Sequence, residues 1–271
     1  MSGVLFCGCG NMGSAILRSA LEKGILWAKE TVILEKHPNQ YTRDFEAQGC
    51  RVIESLEQMK EKAQLVVFAV KPQDAIDLFL AAQPHVEPSS TLISIMAGIC
   101  IETIELHFPL AAVIRAMPNT PAAIGQGMTA YVGNAQAGEI QLDLAMRLFD
   151  SLGKSLQLEK ESMIDAVTAV SGSGPAYLFY LAEAMHRAAM DLDFTADEAS
   201  LLVNQTLVGA SALLQQSGEA PGILREKVTS KGGTTAAALQ MFDEGKVSAA
   251  IQRGMRAASS RSEELGNLFK K

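Results

Sequence analysis

The stretch FCGCGNMGSAI at residues 6–16 sets Gly8, Gly10 and Gly13 at G-x-G-x-x-G spacing. These glycines follow the apolar run VLFC (4–7) and lead into a helical pattern that Gly24 can end. Glycines so spaced between a strand and a helix allow a tight turn, close approach of backbone to a pyrophosphate, and contact of helix with strand. The free N–H groups of the helix N-terminus add donors for an anion. The motif and its context predict a dinucleotide site, with an ordinary glycine turn as the plain alternative.

Behind this loop, short β-branched runs alternate with helix-like segments: TVILE (31–35), CRVI (50–53), LVVFAV (65–70), TLISIMA (91–97), AAVIRAMP (111–118) and MTAYVG (128–133). Such alternation predicts βαβ units and a mostly parallel sheet covered on both faces. After KSLQLE (154–159) the strand runs stop. The rest reads as helices with clear punctuation. Pro175 suits a first turn, TADE at 195–198 is a capping box whose helix Gly218 can close, and Pro221 opens another helix. Thr234 or Thr235 is expected to cap the next, Gly245 to end it, and the apolar positions 247, 251, 255 and 258 to carry a last helix. The expected architecture is therefore an α/β Rossmann-like doubly wound sheet over residues 1–160, followed by an all-helical domain over 161–271.

The 271 residues are 48% hydrophobic and 20% charged, a high apolar share for a chain with no apolar run long enough to span a membrane. Its excess apolar surface is expected to end in a subunit interface. The N-terminus has neither a basic region nor a cleavage pattern, so it reads as a first strand, and a cytoplasmic location is expected. Cys7, Cys9, Cys50 and Cys100 are irregularly spaced without a C-x-x-C pair, which argues against a disulfide framework or a zinc site, and no metal is expected. A net charge of −7 with scattered Lys and Arg argues against nucleic acid as a partner.

Further candidates stand at strand ends. Glu35 closes the second strand where an acid recognises the ribose hydroxyls of NAD, and Lys36 beside it could neutralise a 2′-phosphate. The two pull the cofactor preference in opposite directions, and both also read as solvated charges. Lys71 in FAVKPQD, at the end of the fourth strand, faces either cofactor or substrate, or is a surface lysine in a turn. A second cradle, SKGGTT, begins at Ser230, with Gly232 and Gly233 offering unobstructed N–H groups and Thr234 and Thr235 opening a helix. Such a nest suits a carboxylate or phosphate, and an ordinary threonine-capped helix start is the alternative.

Several stretches in order, FCGCGNMGSAI, AVKP (69–72), SIMAG (94–98), RAMPNTPAAIGQGMT (115–129), VSGSGPAY (170–177) and PGILREKVTSKGGTTAAALQMFD (221–243), make the chain resemble the pyrroline-5-carboxylate reductases from about Val4 to Gly266. The resemblance implies reduction of 1-pyrroline-5-carboxylate to L-proline by hydride from NADPH or NADH. It puts the cofactor pyrophosphate on Cys7, Gly8, Cys9, Gly10, Asn11 and Met12, with Gly13 completing the loop. It brings Ala69, Val70, Lys71 and Pro72, with Met96, Ala97 and Gly98, to the nicotinamide side. Ser230, Gly232, Gly233 and Thr234 would hold the substrate carboxylate, Thr235 would direct its hydroxyl at the ring nitrogen, and Glu219 would sit nearby. The family also implies a helical dimerisation domain and a homodimer or larger ring of dimers.

Three features depart from the family pattern. Glu35 with Lys36 replaces its small or arginine-containing strand ends, Leu56 stands near an adenosine-contacting asparagine of the family, and Lys231 occupies a place often held by proline. Two other readings stand beside the resemblance. A β-hydroxyacid dehydrogenase or imine reductase would need a lysine or aspartate on the interdomain helix, and VSGSGPAY has neither. A non-catalytic NAD(P)-binding sensor would have no use for the second cradle.

Overall fold

The computed structural model describes residues 3–269. Among them, β1 (Val4–Cys7), β2 (Thr31–Leu34), β3 (Arg51–Ile53), β4 (Ala63–Phe68), β5 (Val86–Ser94), β6 (Ala112–Met117), β7 (Gly127–Gly133) and β8 (Gly153–Gln157) form a sheet in the order β3-β2-β1-β4-β5-β6-β7-β8. Every neighbouring pair is parallel except β6 with β7. Between strands run α1 (Asn11–Glu22), α2 (Gln40–Ala47), α3 (Ala75–Ala82), α4 (Ile101–Glu105) and α5 (Glu139–Asp150). The strand order reverses between β1 and β4, and the crevice beyond the carboxyl ends of such a pair is where open α/β sheets bind ligands.

Continuous apolar runs suit these strands because both faces are covered. Val4 and Phe6 of β1 pack into one core, Leu5 and Cys7 into the other. Beneath β4, Phe68 meets Phe79 of α3 edge to face, with ring centroids 5.0 Å apart. The fifth strand differs from the expected 91–97: it starts at Val86, with a register shift against β4 between Ala63 and Leu65, and ends at Ser94. Residues 95–100 leave the sheet as a loop, since Gly98 takes a φ of +79° that a strand does not use.

The helices beyond the sheet are α6 (Met163–Val167), a π-helical turn over Thr168–Gly172, α7 (Gly174–Asp191), α8 (Ala196–Ser217), α9 (Pro221–Lys227), α10 (Thr234–Glu244) and α11 (Val247–Leu268). Thr195 and Glu198 form the expected capping box of α8, and Gly218 closes that helix at φ +65°. The expected threonine cap of α10 is corrected: its N-cap is Gly233, with no side-chain cap, and Thr234 is already its first residue. A glycine there frees both threonine hydroxyls from capping.

By packing, one compact unit runs to Ser173 and resumes at Ala258, and a second comprises Gly174–Ala257. The sequence division at 160/161 differs because α6 and the end of α11 pack with the sheet: Ser262 Oγ donates to Asp165 Oδ1 at 2.7 Å. Within the second unit the buried side chains of α7 to α10 are Ala199 and Val203 alone. Tyr180, at 77% exposure, and Leu201, at 70%, belong to an apolar surface of several helices that this unit does not cover itself.

Candidate functional site

Loops beyond β1, β4 and β5 come together at the switch point. Backbone bonds join them: Ala69 N–H donates to the Cys7 carbonyl at 2.8 Å, and Ile95 N–H to that of Phe68 at 3.1 Å. Each glycine of the first loop has its own task. Gly8 sits at φ +95°, and a Cβ there would stand 2.7 Å from the Ala69 carbonyl oxygen. A Cβ on Gly13 would stand 2.6 Å from the Gly8 oxygen, so that glycine permits α1 to lie against β1. A Cβ on Gly10 would meet no atom within 4 Å, which leaves that face of the loop open to a ligand. Gly10 is the N-cap of α1 and supplies no side-chain cap, so the first N–H groups of the helix face outward as donors. Uncapped donors beside an open glycine fit the pyrophosphate of a dinucleotide.

The turn after β2 grips this loop. Cys9 N–H donates to Glu35 Oε2 at 2.9 Å, and Asn39 Nδ2 donates to the Cys9 carbonyl at 3.1 Å. Glu35 Oε1 accepts from the His37 N–H at 3.3 Å, and Tyr41 hydroxyl donates to Asn11 Oδ1 at 3.1 Å. The Glu35 carboxylate therefore points at the glycine loop, whereas Lys36 is exposed. Burial, then the nearby Glu35 charge, pushes the Cys9 thiol up to about 12, so Cys9 is a thiol at neutral pH and offers its backbone rather than a nucleophile. Burial raises the Cys7 thiol as well.

At the neighbouring strand ends, Ala69 and Val70 are half-buried, and Lys71 is exposed just before the short turn that Pro72 opens. Met96 turns its side chain into the core, so it can present only backbone, while Ala97 is exposed. A Cβ on Gly98 would meet Leu265 and Phe269 at 3.3–3.4 Å. All these candidates share one unit and one end of the sheet.

The second cradle lies in the second unit. Gly233 N–H donates to the Ser230 carbonyl at 3.0 Å, closing a turn in which Gly232 has φ +73° and nothing within 4 Å of its missing Cβ. No hydrogen bond within the described residues engages the hydroxyls of Ser230, Thr234 or Thr235, and the turn opens directly into the uncapped N-terminus of α10. Thr229, by contrast, spends its hydroxyl on the Arg225 carbonyl at 2.6 Å. Glu219 is taken up by Lys227, whose Nζ lies 2.7 and 2.6 Å from its two carboxylate oxygens.

Sequence reasoning missed Asn39, Tyr41, Arg115 and Asn119. Asn39 also caps α2, a role that PNQ after the second strand could have signalled. Asn119 ties two segments, donating to the Ser171 carbonyl at 3.0 Å and accepting from Met128 N–H at 2.9 Å. The described residues contain no group of three or more His, Cys, Asp or Glu able to hold a metal ion.

Comparison with known proteins matches residues 161–265 to the family described as Pyrroline-5-carboxylate reductase dimerisation, and residues 3–98 to the one described as NADP oxidoreductase coenzyme F420-dependent. The pyrroline-5-carboxylate reductase of Haemophilus influenzae is 36% identical, covering 98% of this chain and 98% of its own. That of Pseudomonas aeruginosa is also 36% identical, over 97% of this chain and 96% of its own. Among solved structures, Plasmodium falciparum pyrroline carboxylate reductase with NADP bound is similar at a TM-score of 0.87 and 26% identity, covering 98% of both chains.

Proposed function

The chain belongs to the pyrroline-5-carboxylate reductase family, and from that premise we infer that it reduces 1-pyrroline-5-carboxylate to L-proline with NADH or NADPH, the last step of proline biosynthesis. The observation that carries the reading is the pair of anion cradles: an open glycine loop at the switch point, and an uncapped helix start with unengaged hydroxyls at 230–235. Imine-dependent oxidation of the cofactor with proline as product is the test, and absence of turnover in folded protein would refute it.

In this reading Gly8, Gly10 and the first N–H groups of α1 hold the pyrophosphate, with Cys7, Cys9, Asn11 and Met12 contributing backbone and Gly13 setting the helix against the strand. Ala69 to Pro72 and Met96 to Gly98 stand on the nicotinamide side. A bound NADH or NADPH supplies the hydride. Ser230, Gly232, Gly233 and Thr234 hold the ring carboxylate by backbone N–H and hydroxyl donors. Thr235 donates to the imine nitrogen, which takes up one proton as its carbon takes up hydride. Polarising an already electrophilic imine and orienting it supplies much of the rate, so no catalytic histidine is needed. Lys71 adds positive charge beside the same strand ends, and Glu219, paired with Lys227, is a neighbour of the carboxylate cradle.

Glu35 sets the cofactor preference. Held against the glycine loop by two N–H groups, its carboxylate accepts from ribose hydroxyls and repels a 2′-phosphate, which favours NADH. Glu35→Ser is expected to shift the ratio of kcat/KM values toward NADPH by about tenfold or more. An unchanged ratio would remove Glu35 from cofactor selection.

The uncovered apolar helices of the second unit take a second copy of the chain as partner, in a homodimer or a ring of dimers. Light scattering at micromolar concentration is expected to find at least a dimer, and a monomer would contradict this. Among the described residues no helix is long and apolar enough to cross a membrane, and the four free cysteines are buried thiols, as suits a cytoplasmic enzyme.

A further inference from the structure

The loop between β5 and α4 is anchored at both ends by polar groups. At its start, Met96 N–H donates to Ser94 Oγ at 3.3 Å. At its far end, Ile101 N–H donates to Glu161 Oε1 at 2.8 Å, and the same oxygen accepts from Arg115 Nη1 at 2.8 Å. Arg115 stands on β6 in register with Ser94, only 5% exposed, with its Nη2 4.0 Å from Asp165. Its Nε is buried without a partner, so the two carboxylates set the guanidinium position.

Packing fixes the loop on one side only. Gly98 lies under Leu265 and Phe269, but Gly98 and Cys100 also line an open cavity of about 330 Å³ whose wall includes Arg115, Glu161 and Asp165 themselves. A wall that faces a cavity lacks contact atoms there and is not held by dispersion. The pair joins a buried arginine to a half-buried carboxylate, and such a pair adds little net stability over apolar side chains of similar volume and is better suited to fixing geometry. What this pair fixes is the peptide that ends the loop.

We propose that Arg115 and Glu161 are positioning residues for hydride transfer: Arg115 orients the Glu161 carboxylate, which anchors Ile101 and so sets where Ala97 and Gly98 stand against the cofactor. The proposal rests on the reading of residues 96–98 as the nicotinamide side. Glu161→Ala, Glu161→Gln and Ala97→Leu are compared with the parent protein by fluorescence titration with NADH, melting temperature and steady-state kinetics. Glu161→Ala is expected to weaken NADH binding and lower kcat, each by about three- to thirtyfold, with KM for the imine little changed. Glu161→Gln keeps an oxygen for the Ile101 N–H and is expected to recover most of that loss. Unchanged NADH affinity and kcat in Glu161→Ala, or no recovery in Glu161→Gln, overturns the positioning role. Ala97→Leu isolates the underlying reading: if it leaves NADH affinity unchanged, the loop does not face the cofactor and that assignment falls. If it weakens NADH while Glu161→Ala does not, the positioning role alone falls.

Discussion

Replacing Thr235 with valine is expected to lower kcat by roughly ten- to a thousandfold, the range for losing a donor worth about 1.5–4 kcal/mol in the transition state. Valine keeps the shape and β-branching, so the loss is confined to the hydroxyl. The change should leave the fold intact, because Gly233 rather than a threonine is the N-cap of α10 and the Thr235 hydroxyl bonds to nothing within the described residues. A helix-capping threonine would behave oppositely, losing about 1 kcal/mol of stability with near-normal turnover. Melting temperature and kcat measured together separate the two, and undiminished kcat would remove Thr235 from catalysis. Gly233→Ala makes the companion test. Its Cβ would meet the Ser230 side chain, so it displaces the hydroxyl proposed to hold the carboxylate and should raise KM for the imine while cofactor affinity holds.

In the other cradle, Gly8→Ala is expected to abolish useful cofactor binding, weakening it by about a hundredfold or more, and to lower the melting temperature as well. The new Cβ would stand 2.7 Å from the Ala69 backbone oxygen in a residue at φ +95°, and neither the carbonyl nor the strained backbone can yield cheaply. Gly10→Ala is the informative contrast. At φ −80°, with nothing within 4 Å of its Cβ, it should fold as the parent does, yet lose about tenfold or more in cofactor affinity because the methyl group occupies the face proposed to take the pyrophosphate. Equal melting behaviour in the two variants would mean that Gly8 is not held as tightly against β4 as its geometry requires.

Much of this fold was legible because its signals are local. An apolar run before spaced glycines, Thr195 three residues before Glu198, and Gly218 after an apolar helix each fix a boundary within a few residues, and each stands where it was expected. The cap of α10 was misread because a threonine and a glycine side by side both suit an N-cap, and only the backbone angles decide between them. The front of β5 was missed for another reason. Residues 86–90 include Pro88 and two serines, a poor strand pattern that pairing with β4 overrides.

The candidate site was legible in its glycines and hydroxyls but not in the contacts that hold them. Glu35 was expected to meet a ribose, and its bond to the Cys9 N–H, across 26 residues, adds a grip on the loop that no spacing announces. Arg115 sits in a quoted motif, yet its partner Glu161 lies 46 residues away, just past the last strand run, where no motif singled it out. The return of α11 to the sheet, through Ser262 and Asp165, spans 97 residues. Such pairings depend on which faces the completed fold brings together, and local propensity carries no record of them.

Hydride from the reduced nicotinamide is delivered to the imine carbon, C2 of the pyrroline ring, which becomes C5 of proline. Incubating the purified protein with 1-pyrroline-5-carboxylate and NADH carrying deuterium at both C4 positions tests this directly by mass spectrometry of the product. L-Proline bearing a single deuterium at C5 is expected, formed in step with cofactor oxidation. Cofactor left unconsumed by folded, cofactor-binding protein, or proline without deuterium at C5, would contradict it.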